Sequence, residues 1–175
     1  MLVLAIPLAP AGADPGVPVP DGYRMEPYRG PTPDAVPSGH VVHTAELKAM
    51  LDAGHVALID VMTAPRRPEG MRPDAPWMPL PRRDLPGSIW LPDVGRGAIN
   101  PALEAHFRAV LERATDGSRD APVVFYCLAQ CWMSWNAAKR AASFGWRNVY
   151  WYPDGTDGWE EAGLPLTEAQ PEPFE

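Results

Sequence analysis

The stretch from Val123 to Arg140 leaves this chain few ways to fold. Val123-Val124-Phe125-Tyr126 is a short β-branched and aromatic run, bounded upstream by Pro122. It reads as a buried strand. Asn136-Ala137-Ala138-Lys139-Arg140-Ala141-Ala142 follows, a run of strong helix formers. The only two cysteines of the chain, Cys127 and Cys131, fall between strand and helix. A cysteine at a strand tip, ahead of a helix N-terminus, sits where main-chain N–H groups and the positive end of the helix dipole stabilise a thiolate. The competing reading makes both cysteines small buried hydrophobes.

The rest of the chain repeats the same alternation. Thr44 is a candidate N-cap for a helix over 45–53 that Gly54 ends. Val56-Ala57-Leu58-Ile59-Asp60-Val61 is a nearly continuous apolar run, the mark of a strand buried on both faces. Ser88-Ile89-Trp90-Leu91 reads as a brief strand. Asn100-Pro101 starts a helix with proline at its first position, and Leu103, Phe107, Val110 and Leu111 form its apolar stripe. After the central strand and helix come a strand over 148–152 and a turn at Pro153-Asp154-Gly155 into a last short helix ending at Gly163. Helices alternating with strands predict an α/β domain: a mainly parallel central sheet with helices on both faces. Sites in such folds lie beyond the carboxyl ends of the strands, which is where Cys127 falls.

Composition narrows the partners. The chain has 175 residues, a formal charge of −7 and no basic run longer than two residues, which excludes nucleic acid as an expected partner. No stretch has the length of a membrane span. The 23 prolines concentrate in two regions, 14–39 and 63–87. The first is an extended, aromatic-bearing lead-in expected to lie against the domain. The second is a long insert carrying Arg66, Arg67, Arg72, Arg82 and Arg83, of which Arg66, Arg67, Arg82 and Arg83 are each expected to be a solvated surface arginine. Residues 1–13 resemble the apolar half of a secretory signal ending in Ala-Gly-Ala, without its positively charged start. That predicts an exported, periplasmic protein whose mature chain starts near Asp14, in an oxidising space. The domain proper spans 40–167, and 168–175 is a C-terminal tail.

Leu58-Ile59-Asp60-Val61, Leu85-Pro86-Gly87-Ser88-Ile89-Trp90-Leu91-Pro92, Val123 to Cys127, Asn148-Val149-Tyr150 and Gly155 to Trp159 together resemble the rhodanese domain, over about 40–166. More narrowly, Cys127-x-x-x-Cys131-Trp132 with the run from Tyr152 to Trp159 resembles the rhodanese-like CXXXCW proteins associated with pyrroloquinoline-quinone (PQQ)-dependent alcohol catabolism. The resemblance implies that Cys127 takes a sulfane sulfur, becomes a persulfide and passes the sulfur on. It implies a small thiol or sulfur compound, or a periplasmic protein such as a PQQ-dependent dehydrogenase or transport system, as partner. It implies no cofactor. The chain departs from the family pattern in the loop itself. No arginine follows Cys127 until Arg140, and Cys131 is an added thiol. Bidentate recognition of an anionic donor is thereby lost from the loop.

Three uses of the pair stay open. In thiol–disulfide or persulfide chemistry, Cys127 attacks and Cys131 resolves. A soft-metal site would use both thiolates for Cu(I) or zinc. A structural disulfide would pin the loop of a non-catalytic binding module. Leu128, Ala129, Gln130, Trp132, Met133 and Ser134 are the expected loop and pocket residues, with Asp60 and Asp157 at the same edge. Trp132 and Trp135 wall the site or belong to the core. Ser134 donates to the loop anion or caps the helix. Carboxylates at the mouth would raise a thiol pKa and repel an anionic donor. His40, His43, His55 and His106 show no ligand spacing on one element and are expected at the surface or in caps.

Overall fold

The computed structural model describes residues 16–174. The expected leader at 1–13 lies outside these residues. The elements are β1 (His40–Val41), α1 (Thr44–Ala53), β2 (Ala57–Asp60), β3 (Arg83–Asp84), β4 (Ile89–Trp90), α2 (Pro101–Ala114), β5 (Val123–Tyr126), α3 (Trp132–Ser143), β6 (Val149–Tyr152), α4 (Gly155–Glu161) and β7 (Thr167–Glu168). Five strands form one sheet in the order β1-β6-β5-β2-β4, every pair parallel. The expected α/β architecture is therefore the one observed.

Strand β5 sits at the centre, between β2 and β6, and all four of its residues are buried. Its side chains alternate between two cores. Val123 and Phe125 meet Phe107, Val110 and Leu111 of α2 and Trp135 of α3 on one face. Val124 and Tyr126 meet Leu47 of α1 and Trp159 of α4 on the other. Helices thus cover both faces, which is why the strand has no polar positions. Each large side chain so buried contributes roughly 1.5–3 kcal/mol.

Several boundaries differ from the sequence-based expectation. Helix α1 is capped by His43, whose N–H donates to Glu46 Oε2 at 3.1 Å, and not by Thr44. The Thr44 hydroxyl bonds Tyr152 Oη and Asp154 instead, tying α1 to the end of β6. Strands β1, β3 and β7 are each two residues long, too short for any periodicity to announce them.

The two proline-rich regions are fastened to the domain. The lead-in crosses α3, as expected of its aromatics. Trp132 Nε1 donates to Pro31 O at 3.0 Å, Trp135 Nε1 to Ala35 O at 2.9 Å, and Asn136 exchanges hydrogen bonds with the backbone of Arg24. The end of the insert pairs with the C-terminal segment as the antiparallel β3–β7 ribbon. Ala169 N–H and Glu172 N–H then donate to Arg82 O and Trp90 O. Among the described residues no helix is long and apolar enough to cross a membrane.

Asp84 gives this ribbon a pH dependence. It is buried, its Oδ2 has no hydrogen-bond partner among the described residues, and burial followed by the nearby Asp60 charge pushes its pKa up to about 6. A carboxyl whose folded pKa exceeds its unfolded value stabilises the fold at low pH. That stabilisation is lost as pH rises from about 4 through 6. Asp84→Asn is therefore expected to be more stable than the natural chain at pH 8, by about 1–3 kcal/mol, with the gain shrinking at pH 4.5. Denaturant titrations at the two pH values check this; a gain independent of pH would contradict it.

Candidate functional site: a sulfur pair at the strand tip

The chain leaves β5 at Tyr126 and turns through Cys127-Leu128-Ala129-Gln130 into Cys131, the N-cap of α3. Two contacts and one backbone conformation fix the turn. Thr156 N–H donates to Cys127 O at 3.1 Å, and Ala129 N–H donates to Asp157 Oδ2 at 2.9 Å. Gln130 takes a left-handed φ of 52°, which reverses the chain. A non-glycine residue holds that conformation at a cost of roughly 1–2 kcal/mol, so neighbours must impose it. The lead-in does so: Gly30 N–H donates to Gln130 O, Trp132 N–H donates to Tyr28 O, and Arg29 bridges Cys131 in antiparallel register.

The turn brings the sulfurs together. Cys127 Sγ and Cys131 Sγ are 2.8 Å apart, both as free thiols. The pair is not symmetric. Cys127 is fully buried, whereas Cys131 lines a cavity of about 500 Å³ together with Glu26, Pro27, Tyr28, Arg29, Met62, Thr63 and Met133. The hydrogen bond from Cys127 lowers the Cys131 pKa to about 7 against the opposing effect of burial. The Met133 amide, the Arg29 charge and the Leu128 amide add to the lowering. Cys127 is pushed the other way, first by that same hydrogen bond, then by burial and by the Cys131 and Asp60 charges. The contact thus lets the two thiols share one proton, with Cys131 on the cavity side of the pair.

Of the loop and pocket residues expected from sequence, Cys131 and Met133 line this cavity. Trp132 and Trp135 are core residues that hold the lead-in. Ser134 is fully buried, donates to Cys131 O and accepts from Trp151 Nε1, so it neither faces a sulfur nor occupies the cap position. Asp157 holds the Ala129 amide, and that N–H is therefore spent within the fold. Leu128 and Gln130 shape the turn.

Asp60 lies beneath the site and not at its mouth. It is buried, accepts from Met62 N–H at 2.9 Å and pairs with Arg82 Nε at 2.7 Å. Burial raises its pKa, and Arg82 opposes the rise. Arg82 is consequently a partly buried ion-pair partner, not the solvated arginine expected, because a lone carboxylate at the depth of Asp60 would be untenable. Arg66 pairs with Asp93, and Arg67 and Arg83 donate to main-chain carbonyls.

The sequence reading missed the cavity wall contributed by Glu26 to Arg29 and by Met62 and Thr63. Two signals were available. Met62 and Thr63 follow directly on the carboxyl end of a central strand. Nine of the twelve residues of α3 are buried, and a helix buried nearly all round needs a second cover beyond the sheet. The lead-in is that cover. Arg29 also puts a guanidinium beside the pair from outside the loop.

A parallel α/β sheet with its sulfur-bearing loop between the central strand and the next helix defines a loop-thiol protein of the rhodanese type. Residues 43–162 match the rhodanese-like domain model, and the chain belongs to that family. The solution structure of a 30 kDa polysulfide-sulfur transferase homodimer from Wolinella succinogenes is similar at 19% identity, covering 76% of this chain and 81% of that one, with a TM-score of 0.47. No curated protein matches the chain. Among the described residues, no group of three or more histidine, cysteine or carboxylate side chains could hold a metal ion.

Proposed function

We propose that this protein handles sulfur through its cysteine pair, with Cys131 as the attacking thiolate and Cys127 as the resolving thiol. The observation that carries the reading is the 2.8 Å contact between a buried Cys127 and a Cys131 that lines the cavity. It reverses the order of roles suggested by the loop position alone. The family supports persulfide chemistry as the reaction type.

The steps balance without a further oxidant. The Cys131 thiolate attacks the outer sulfur of a persulfide or polysulfide, forms Cys131–S–SH, and releases the donor thiol shortened by one sulfur. An acceptor thiol attacks that outer sulfur, takes it as a new persulfide, and regenerates Cys131. With a disulfide substrate, the Cys131 thiolate attacks one sulfur and expels the first thiol. Cys127 then attacks the Cys131 sulfur, expels the second thiol and leaves a Cys127–Cys131 disulfide. Once Cys131 is bonded to sulfur it no longer carries the charge that raises the Cys127 pKa, so the second step is enabled by the first.

The cavity favours a neutral or singly charged donor with some apolar body. Met62, Met133 and Pro27 line it, and Arg29 and Glu26 are its charged side chains. The CXXXCW sequence and the apolar leader suggest a periplasmic member of the subfamily linked to PQQ-dependent alcohol oxidation, acting beside such a dehydrogenase or transport system. Incubating the reduced protein with polysulfide and mapping peptides by mass tests the chemistry. The expected result is one added sulfur on the Cys131 peptide, discharged by a small thiol. A protein that takes no sulfur and keeps an unreactive disulfide would instead be a binding module on this scaffold.

A further inference from the structure

We propose that Cys127, Cys131 and Met62 form a binding site for copper(I), a use of the sulfur pair separate from sulfur transfer. Cys127 is the hub, with its Sγ 2.8 Å from Cys131 Sγ and 3.5 Å from Met62 Sδ. A second thioether is at hand. Met133 lines the same cavity, and its Sδ accepts from Thr63 Oγ at 3.5 Å.

The donor types select the ion. Thiolates with a thioether suit monovalent copper, whereas zinc takes thiolate, imidazole or carboxylate and calcium takes oxygen. Among the described residues the cavity wall contains no histidine. The one carboxylate among its described residues, Glu26, is engaged with Arg96 at 3.2 Å, and the Tyr28 hydroxyl accepts from Gly97 N–H. Borderline and hard cations therefore find no completed set of ligands here. Burial favours the same ion, because a low-charge cation neutralised by thiolate is less costly to desolvate than a divalent one.

The geometry needs little adjustment. Three sulfurs each roughly 2.3 Å from a metal in a trigonal arrangement stand about 4 Å from one another. Cys131 must back away from Cys127 by roughly 1.2 Å and Met62 by roughly 0.5 Å. Met62 is unbranched with three rotatable bonds, and Cys131 sits at the joint between loop and helix. Binding displaces the protons still held by the thiols to solvent and leaves the valence of copper unchanged. No electron partner is required.

A merely space-filling Met62 predicts something different, because leucine would replace it with little effect. The test is an anaerobic titration of the reduced protein with copper(I) against the chelator bicinchoninate, with copper X-ray absorption on the loaded protein. One copper per chain and a first shell of three sulfurs are expected. Met62→Leu is expected to weaken copper binding about tenfold or more and to reduce the shell to two sulfurs, with zinc affinity the same in both proteins. Copper lost to the chelator by the natural chain, a two-sulfur shell in that chain, or equal copper affinity in Met62→Leu would each overturn the site. The absorption measurement needs no variant. Sulfur loading is measured without copper, so either result can fail while the other stands.

Discussion

Cys131→Ser is expected to lower sulfur transfer by roughly a thousandfold or more, since it removes the attacking atom itself. Cys127→Ser is expected to behave differently. The serine variant retains the thiol at the cavity, so it should still take one sulfur or form a mixed disulfide. What it loses is resolution: the mixed disulfide accumulates in place of the internal one. Cys127→Ala, which removes the donor that serine would keep, should in addition raise the Cys131 pKa, because a hydrogen bond from Cys127 is the largest influence holding it down. Loading of the Cys127→Ala protein should therefore be slower at neutral pH and recover as pH is raised. Peptide mapping after polysulfide treatment separates the two variants. If Cys127→Ser abolishes loading while Cys131→Ser retains it, the roles assigned here are inverted.

Gly155→Ala is expected to destabilise the protein by about 2–5 kcal/mol, from overpacking and a left-handed backbone together. Gly155 has a φ of +60°, and a Cβ built there would lie 2.5 Å from Leu128 C, 2.7 Å from Cys127 O and 2.8 Å from Ala129 N. All three are main-chain atoms of the cysteine loop, so no side chain can rotate aside. The loop itself must move, and with it the Thr156 bond to Cys127 O and the Asp157 bond to Ala129. The variant should therefore lose the difference in reactivity between the two cysteines along with its stability. Denaturant titration gives the first quantity and alkylation mapping the second. A change within about half a kcal/mol, typical of a neutral surface site, would contradict the close approach.

The elements that carry the fold were legible because their burial is two-sided. The runs at 57–60 and 123–126 have no polar alternation, and only a covered parallel sheet accommodates that. The helix start at Asn100-Pro101 was legible for local reasons of capping and backbone conformation. The cysteine loop was legible as a place, from its position between strand and helix. Its asymmetry was not. Which thiol faces the cavity depends on the left-handed turn at Gln130 and on a segment a hundred residues away, the strip from Glu26 to Arg29. The lead-in that carries this strip is held through the main-chain carbonyls of Pro31, Ala35 and Arg24, which accept from Trp132, Trp135 and Asn136, and carbonyls carry no sequence signature. For the same reason Arg82 looked like a surface cation. Its role is set by Asp60, a carboxylate at the end of a buried strand that needs a counter-charge.

The central claim is that α3 presents one thiolate, Cys131, to an open cavity while Cys127 lies sealed behind it. Brief alkylation of the reduced natural chain with iodoacetamide near neutral pH, followed by quantitative peptide mapping, tests it most directly. Modification of Cys131 well ahead of Cys127 is the predicted outcome. Faster modification of Cys127, or equal rates at the two sites, would contradict the account.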